Sequence, residues 1–121
     1  MSTHLNTLRS TQQQIEADRE HWSIYLMDFV DDFRYYKALP MLEEPIVWAD
    51  ERLDALLAST AEALCDELGL AAPLWLATVP ACRKPWFVAG MENLKAIALV
   101  ESPLRFRIRK IFVLENFLSR V

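Results

Sequence analysis

Gly69 and Gly90 are the only glycines in this chain, and neither an Asn-Gly nor an Asp-Gly pair occurs. Two-residue hairpins depend on such residues because their turns need positive φ. A sequence this poor in them is steered away from meandering sheets and toward helices. Prolines at 40, 45, 73, 80, 85 and 103 then limit where helices run, because proline lacks the amide that a helix interior needs. With 121 residues and 53% apolar composition, the chain has the length and hydrophobicity of one packed domain. The expected fold class is therefore mainly α. It is a single-domain helical bundle with a long N-terminal helix, a proline-rich loop pinned by aromatics, and a short extended segment near 109–113.

Apolar spacing fills in this outline. Leu5, Leu8, Ile15, Trp22, Leu26, Phe29, Phe33 and Tyr36 recur at steps of three, four or seven, which is a heptad stripe. Gln12 and Arg19 hold its two non-apolar positions. The stripe predicts one helix over about 10–38, capped by Ser10 and ended at Leu39-Pro40, where the residue before proline is pushed out of the helical region. The seam of Trp22, Leu26, Phe29, Phe33 and Tyr36 is wide and aromatic. Residues 1–39 are accordingly expected to act as an oligomerisation arm, forming a homodimer or a heteromer, beside a compact core over 50–121.

Residues 40–49 read as an extended connector with Ile46, Val47 and Trp48 anchored on the core. The next helix is expected over 51–68, with Asp50 as its cap, Leu53, Leu57, Leu64 and Leu68 on one face, and Gly69-Leu70 as a glycine stop. Residues 71–90 read as irregular chain held by Trp75 and Trp86-Phe87. A third helix is expected over 91–100, with Leu94, Ile97 and Ala98 inward. Ser102-Pro103 has the form of a serine cap with proline at the first helical position. It predicts a turn or two of helix, an extended Ile111-Phe112-Val113, and a closing helix over about 114–120. Trp86, Phe87, Phe106, Ile111 and Phe112 are expected to form a latch between the loop and the C-terminal segment.

Few chemistries fit. His21 with Asp18 one turn earlier suggests a metal or proton site or a plain surface pair, and His4 stands apart. Asp28, Asp31 and Asp32 fall on the polar side of the stripe, and Glu43-Glu44 precede Pro45, so the carboxylates near 28–44 read as a solvated face, the alternative being acid and base in an apolar cleft. No Ser-His-Asp order, GxSxG, Walker loop or GxGxxG occurs, and two glycines do not build a phosphate cradle. An enzyme, a cofactor and a metal are not expected. Cys65 and Cys82 read as buried small hydrophobes. The longest charge-free run, Leu68 to Cys82, is broken by two prolines, short of the roughly 20 apolar residues a membrane span takes. With no apolar leader at the start and reduced thiols, a cytoplasmic location is expected.

Charge is uneven. Residues 1–80 carry 5 Lys/Arg against 14 Asp/Glu, and residues 81–121 carry 8 against 3. The basic excess centres on Arg105, Arg107, Arg109 and Lys110, interleaved with Phe106 and Ile108. Arginine suits carboxylates and phosphates through its planar fork, so the stripe could meet an acidic partner, nucleic acid, or the chain's own acidic half. Trp22, Trp48, Trp75 and Trp86 are too scattered for a base-stacking platform and read as core, and the overall charge of −4 disfavours general nucleic-acid binding. If Ser102-Pro103 starts a helix, Arg105 and Arg109 are neighbours four apart that face an acidic surface, while Arg107 is held by a local carboxylate or by backbone carbonyls.

The stretch from Lys84 to Val121 joins Pro85, Trp86 and Phe87 to Ser102, Pro103, Phe106, Arg107 and Arg109, then to Ile111, Phe112, Val113, Leu118 and Arg120. This pattern resembles the C-terminal part of a group of small bacterial antitoxin-like proteins, often encoded beside predicted nucleotidyltransferase toxins. The helix over 51–68 fits the leucine-rich helix that usually precedes the motif. Lys110 stands where an asparagine is common, and the first 40 residues carry no helix-turn-helix of the kind some of these proteins have. The resemblance implies a partner class and no catalytic residues. The expected function is a non-catalytic protein-binding module, an antitoxin-like partner of a nucleotidyltransferase-type toxin. The alternative is a nucleic-acid-binding regulator using the C-terminal arginines.

Overall fold

The computed structural model describes residues 6–90 and 92–119. The first element is α1, Leu8–Ala17. Its cap is Thr7 and not Ser10: the Thr7 hydroxyl accepts from the Ser10 amide at 3.0 Å, and the Ser10 hydroxyl accepts from the Thr7 amide at 2.9 Å. This reciprocal pair satisfies two amides that the first turn would leave unpaired.

The long N-terminal helix does not form. The chain breaks at Asp18, passes through one tight turn at Arg19–His21, and restarts as α2, Trp22–Tyr36. At the break the Asp18 carboxylate takes the Tyr25 hydroxyl at 2.8 Å and His21 Nδ1 at 2.9 Å, local bonds that compete with a continuous helix. A straight helix from Leu8 to Tyr36 would run roughly 44 Å and hold its ends apart. Instead α1 touches both α2 and the turn at Leu39–Leu42 that follows it, so the chain doubles back. The two ends of the heptad stripe cover one another within a single chain: Leu8, Ile15, Leu26, Phe29 and Phe33 are all buried. Leu5, the first stripe residue, and His4 lie outside the described residues.

The central element is α3, Glu51–Leu68, which matches the sequence expectation. Asp50 caps it by accepting from the amides of Arg52 and Leu53. Gly69, in the left-handed region at φ 68°, closes it with the paired bonds from Gly69 to Asp66 and from Leu70 to Cys65, the two-bond glycine ending. From Leu53 to Glu62 every residue is buried, because α1, α2, the turn at Leu74–Thr78 and a later short helix all pack on it. A helix enclosed on so many sides is the axis of a single domain, and α1 and α2 belong to the same core. Among the described residues, the N-terminal helices therefore form no separate arm. Of the three connector residues expected on the core, Ile46 is buried, while Val47 and Trp48 stand in solvent; Met41 and Leu42 are buried in their place.

Beyond α3 lie β1 (Trp86–Phe87), α4 (Lys95–Glu101), α5 (Leu104–Arg107) and β2 (Ile111–Phe112). The two strands pair in parallel, Trp86 with Ile111 and Phe87 with Phe112, and the Phe87 and Phe112 rings stack at 5.1 Å. The expected latch is therefore present as a two-stranded ladder, with α4 and α5 as the crossover that parallel pairing needs. Lys110 takes the left-handed conformation, φ 61°, to turn the chain from α5 into β2. Two expectations fail here. Ser102 does not cap α5; it is buried, with its hydroxyl accepting from the Val113 amide at 2.8 Å and lying within donating reach of the Ala98 carbonyl. Residues 115–118 form turns and no helix, held by Phe117 edge-on to Phe106 and by Arg34 donating to the Leu118 carbonyl at 2.6 Å. Met91 and Arg120, at the expected ends of two helices, lie outside the described residues.

Candidate functional site

The basic stripe divides into two sets by helical geometry. Arg105 and Arg109, four apart, turn to α3, where Glu62 and Asp66 are also four apart. Arg105 grips Asp66 with two nitrogens at 2.8 and 3.1 Å and stands 3.7 Å from Glu62. That hydrogen-bonded guanidinium holds the Asp66 carboxyl below the usual carboxylate range, and the carboxylate in turn raises Arg105. Arg109 goes further inward and is only 4% exposed. It pairs with Glu62 and donates to the carbonyls of Leu76 at 2.7 Å and Val79 at 3.2 Å, with the Ser59 hydroxyl at 3.4 Å. One side chain thus ties α5 to α3 and to the loop over 76–79. The acidic surface expected for these two arginines is the chain's own, so neither is free to bind a partner.

Arg107 and Lys110 lie on the other side and are exposed. Among the described residues Arg107 makes neither the ion pair with a local carboxylate nor the bonds to backbone carbonyls that were expected, and Lys110 Nζ reaches only the Arg83 carbonyl at 3.5 Å. The Ile108 amide bonds to the Leu104 carbonyl at 3.0 Å, so the helical turn continues through 108 and places Leu104, Arg107 and Ile108 on one face. Leu104 is 64% and Ile108 54% exposed. On α4, Val100, Leu99 and Ile97 are exposed as well, and only Ala98 is buried. The inward placement expected for Ile97 is thereby corrected. A helix of seven residues that buries one alanine leaves most of its apolar side chains in water. This aliphatic and basic face is the candidate site. The signal was present in SPLRFRI, where Leu104 and Ile108 share a face that excludes Phe106.

Three of the five residues expected at an oligomer seam are buried within the chain itself. Leu26, Phe29 and Phe33 are core, with Phe29 and Phe33 stacked at 5.8 Å; Trp22 is half-buried, and Tyr36 stands at the outer edge of α2 against Tyr35. The α1 hairpin and α3 cover the face that a second chain was expected to cover. Asp28 and Asp31 are exposed and Asp32 is half-buried, so they do not share an apolar cleft with the exposed pair Glu43 and Glu44. Asp18, His21 and Tyr25 form a surface cluster in which the Tyr25 and His21 hydrogen bonds lower Asp18, and Asp18 raises Tyr25. Among the described residues no three His, Cys, Asp or Glu side chains group to hold a metal ion. Burial pushes the Cys65 thiol up to about 11 and raises Cys82 too, which keeps both as unreactive thiols at neutral pH. Trp75 donates to the Leu42 carbonyl at 2.8 Å, while Trp48 is exposed and is not core.

No described helix is long and apolar enough to cross a membrane. The chain matches no family model, and neither curated proteins nor solved structures return a match.

Proposed function

We propose that this chain is a non-catalytic protein-binding module whose docking surface is the outer face of α4 and α5. The observation that carries this reading is the exposure of Ile97, Leu99, Val100, Leu104 and Ile108 within twelve residues of chain, at 47 to 79% each. Exposed aliphatics gathered this closely along the chain suit a protein partner. Arg107 beside them, without an ion pair among the described residues, sets the partner's chemistry: an apolar centre ringed by carboxylates. The basic balance of residues 81–121 favours a different, acidic protein over a second copy of the same face. The sequence resemblance supplies the partner class, a nucleotidyltransferase-type toxin. Nucleic acid is the weaker reading, because Arg105 and Arg109 are already neutralised by α3 and only Arg107 and Lys110 remain for phosphates.

The test looks for a nucleotidyltransferase gene beside this one and titrates its product with the purified full chain. Calorimetry is expected to show saturable binding that weakens at least ~10-fold in the Leu104→Asp, Ile108→Asp double variant, the loss typical of a central apolar contact. Arg107→Glu is expected to slow association and flatten its salt dependence. Binding unchanged in the double variant would remove this face from the proposal. Steeply salt-dependent binding to DNA or RNA would replace the proposal with the regulator reading.

A further inference from the structure

A second site lies away from that face. Where the Asp18 corner, the first turn of α3 and β1 converge, a cleft of about 190 Å³ opens between Trp22 and Trp86 over Ile15, Leu53 and Leu56. The three aliphatic residues are buried and the two tryptophans half-buried, so the walls are indole and the floor is aliphatic. Arg52 sits at the mouth with its guanidinium carbon 5.5 Å from the Trp86 ring centroid. The remaining lining charges are Arg19 and Asp50, paired at 2.7 Å. Asp50 also accepts from the amides of Arg52 and Leu53, so its oxygens are engaged. Glu51, next to Arg52 in sequence, accepts from the Arg83 amide at 2.7 Å. Among the described residues Arg52 has no carboxylate partner, and the charges lining the cleft leave one positive charge over.

We propose that this cleft binds a small organic anion in which one planar ring bears a carboxylate on a short stem. Each element of that description has its cause in the site. The volume exceeds by a modest margin the ~150 Å³ cavity known to hold benzene, which gives room for one six-membered ring with a stem. Two indoles select a flat group that stacks or meets them edge-on. A guanidinium lying over an indole keeps its in-plane N–H donors pointing outward, where a carboxylate is met by two parallel hydrogen bonds. The surrounding surface is mainly apolar, with the polar groups confined to the rim, as in preformed ligand sites. Trp22, Arg52 and Trp86 come from three separate segments, so the site exists only in the folded chain.

The experiment titrates the full chain with phenylacetate and, separately, with its neutral counterpart phenylacetamide, following the indole N–H signals of the four tryptophans by NMR. Phenylacetate is expected to move the Trp22 and Trp86 signals saturably and to leave Trp48 and Trp75 in place. Phenylacetamide is expected to bind roughly 10-fold or more weakly, the loss of a charge-assisted contact. Arg52→Gln is expected to abolish that preference without changing the melting curve, since its side chain is at the surface, and Arg52→Lys to restore part of it. Three results would overturn the proposal: no saturable movement at Trp22 and Trp86, equal affinity for acid and amide in the parent, or an acid preference that survives in Arg52→Gln. The amide comparison needs no variant and stands even if a substitution were to disturb the fold.

Discussion

The two sides of α5 carry the same residue types and meet opposite fates. On the inner side Arg105, Phe106 and Arg109 lie against α3, with Phe106 fully buried and each guanidinium matched to a carboxylate. On the outer side Leu104, Arg107 and Ile108 project into solvent. The difference shows that an arginine beside apolar residues has no fixed meaning. What decides is whether another element supplies carboxylates at the matching repeat. Glu62 and Asp66 do so inside; no described element does so outside. The inner side therefore holds the fold together, and the outer side is left for something else.

The strongest way to break this contrast is at Arg109. Arg109→Leu leaves the buried Glu62 carboxylate with Arg105 at 3.7 Å as its nearest cation, takes the side-chain donor from the Val79 carbonyl, and leaves the Leu76 carbonyl with the Val79 amide alone. A loss of ~3–5 kcal/mol is expected, read as a lower midpoint in denaturant unfolding. Adding Glu62→Met should recover much of it, because the stranded charge is then gone.

A smaller effect is expected at Asp66→Asn, whose pair with Arg105 is partly exposed: ~0.5 kcal/mol at neutral pH. Its pH dependence sharpens the assignment. Asp66 has a lowered folded pKa, so its contribution is complete above the ordinary carboxylate value of about 3.9 and is lost as pH falls through the lowered one. Melting temperatures of parent and variant should thus differ at neutral pH and converge in strong acid. A gap that stays constant would show that the pair contributes through packing and not through charge.

The smallest effect belongs to the outer side. Leu104→Ser with Ile108→Ser is expected to change stability by no more than ~0.5 kcal/mol, since neither side chain is covered. A larger loss in thermal unfolding would mean that these residues support the domain, which would undercut their role as a docking face.

How far the residues announced this arrangement varies with the range of the forces involved. Asp50 and Gly69 bounded α3 correctly, and Pro85 to Phe112 held the latch in plain view, because caps, glycine stops and strand pairing of aromatics leave compact patterns. Asp18 was not legible as a break. Nothing in the heptad stripe interrupts there, and a stripe of period seven is satisfied equally by two chains or by one chain folded on itself. Gln12 shows the same limit. As one of the two non-apolar stripe residues it has no counterpart in the pattern, yet it is fully buried, with its amide donating to the Val47 carbonyl at 2.6 Å and accepting from the Val47 amide at 3.0 Å. Its partner is 35 residues away in sequence, and no local pattern records it. The cleft between Trp22 and Trp86 went unread for that reason as well, since its walls come from distant segments.

By itself, the sequence determined that the chain is mainly helical, where α3 starts and stops, that Arg105 and Arg109 share a face, and that Glu62 and Asp66 share another. These follow from backbone dihedrals and side-chain spacing, which act over one or two turns. Only the tertiary structure decided that these two faces meet, that Leu26, Phe29 and Phe33 are covered by their own chain, and that no described element covers Leu104 and Ile108. Burial is a property of pairs of surfaces brought together at a distance along the chain. The residues of one surface specify what it needs, and the fold specifies what it finds.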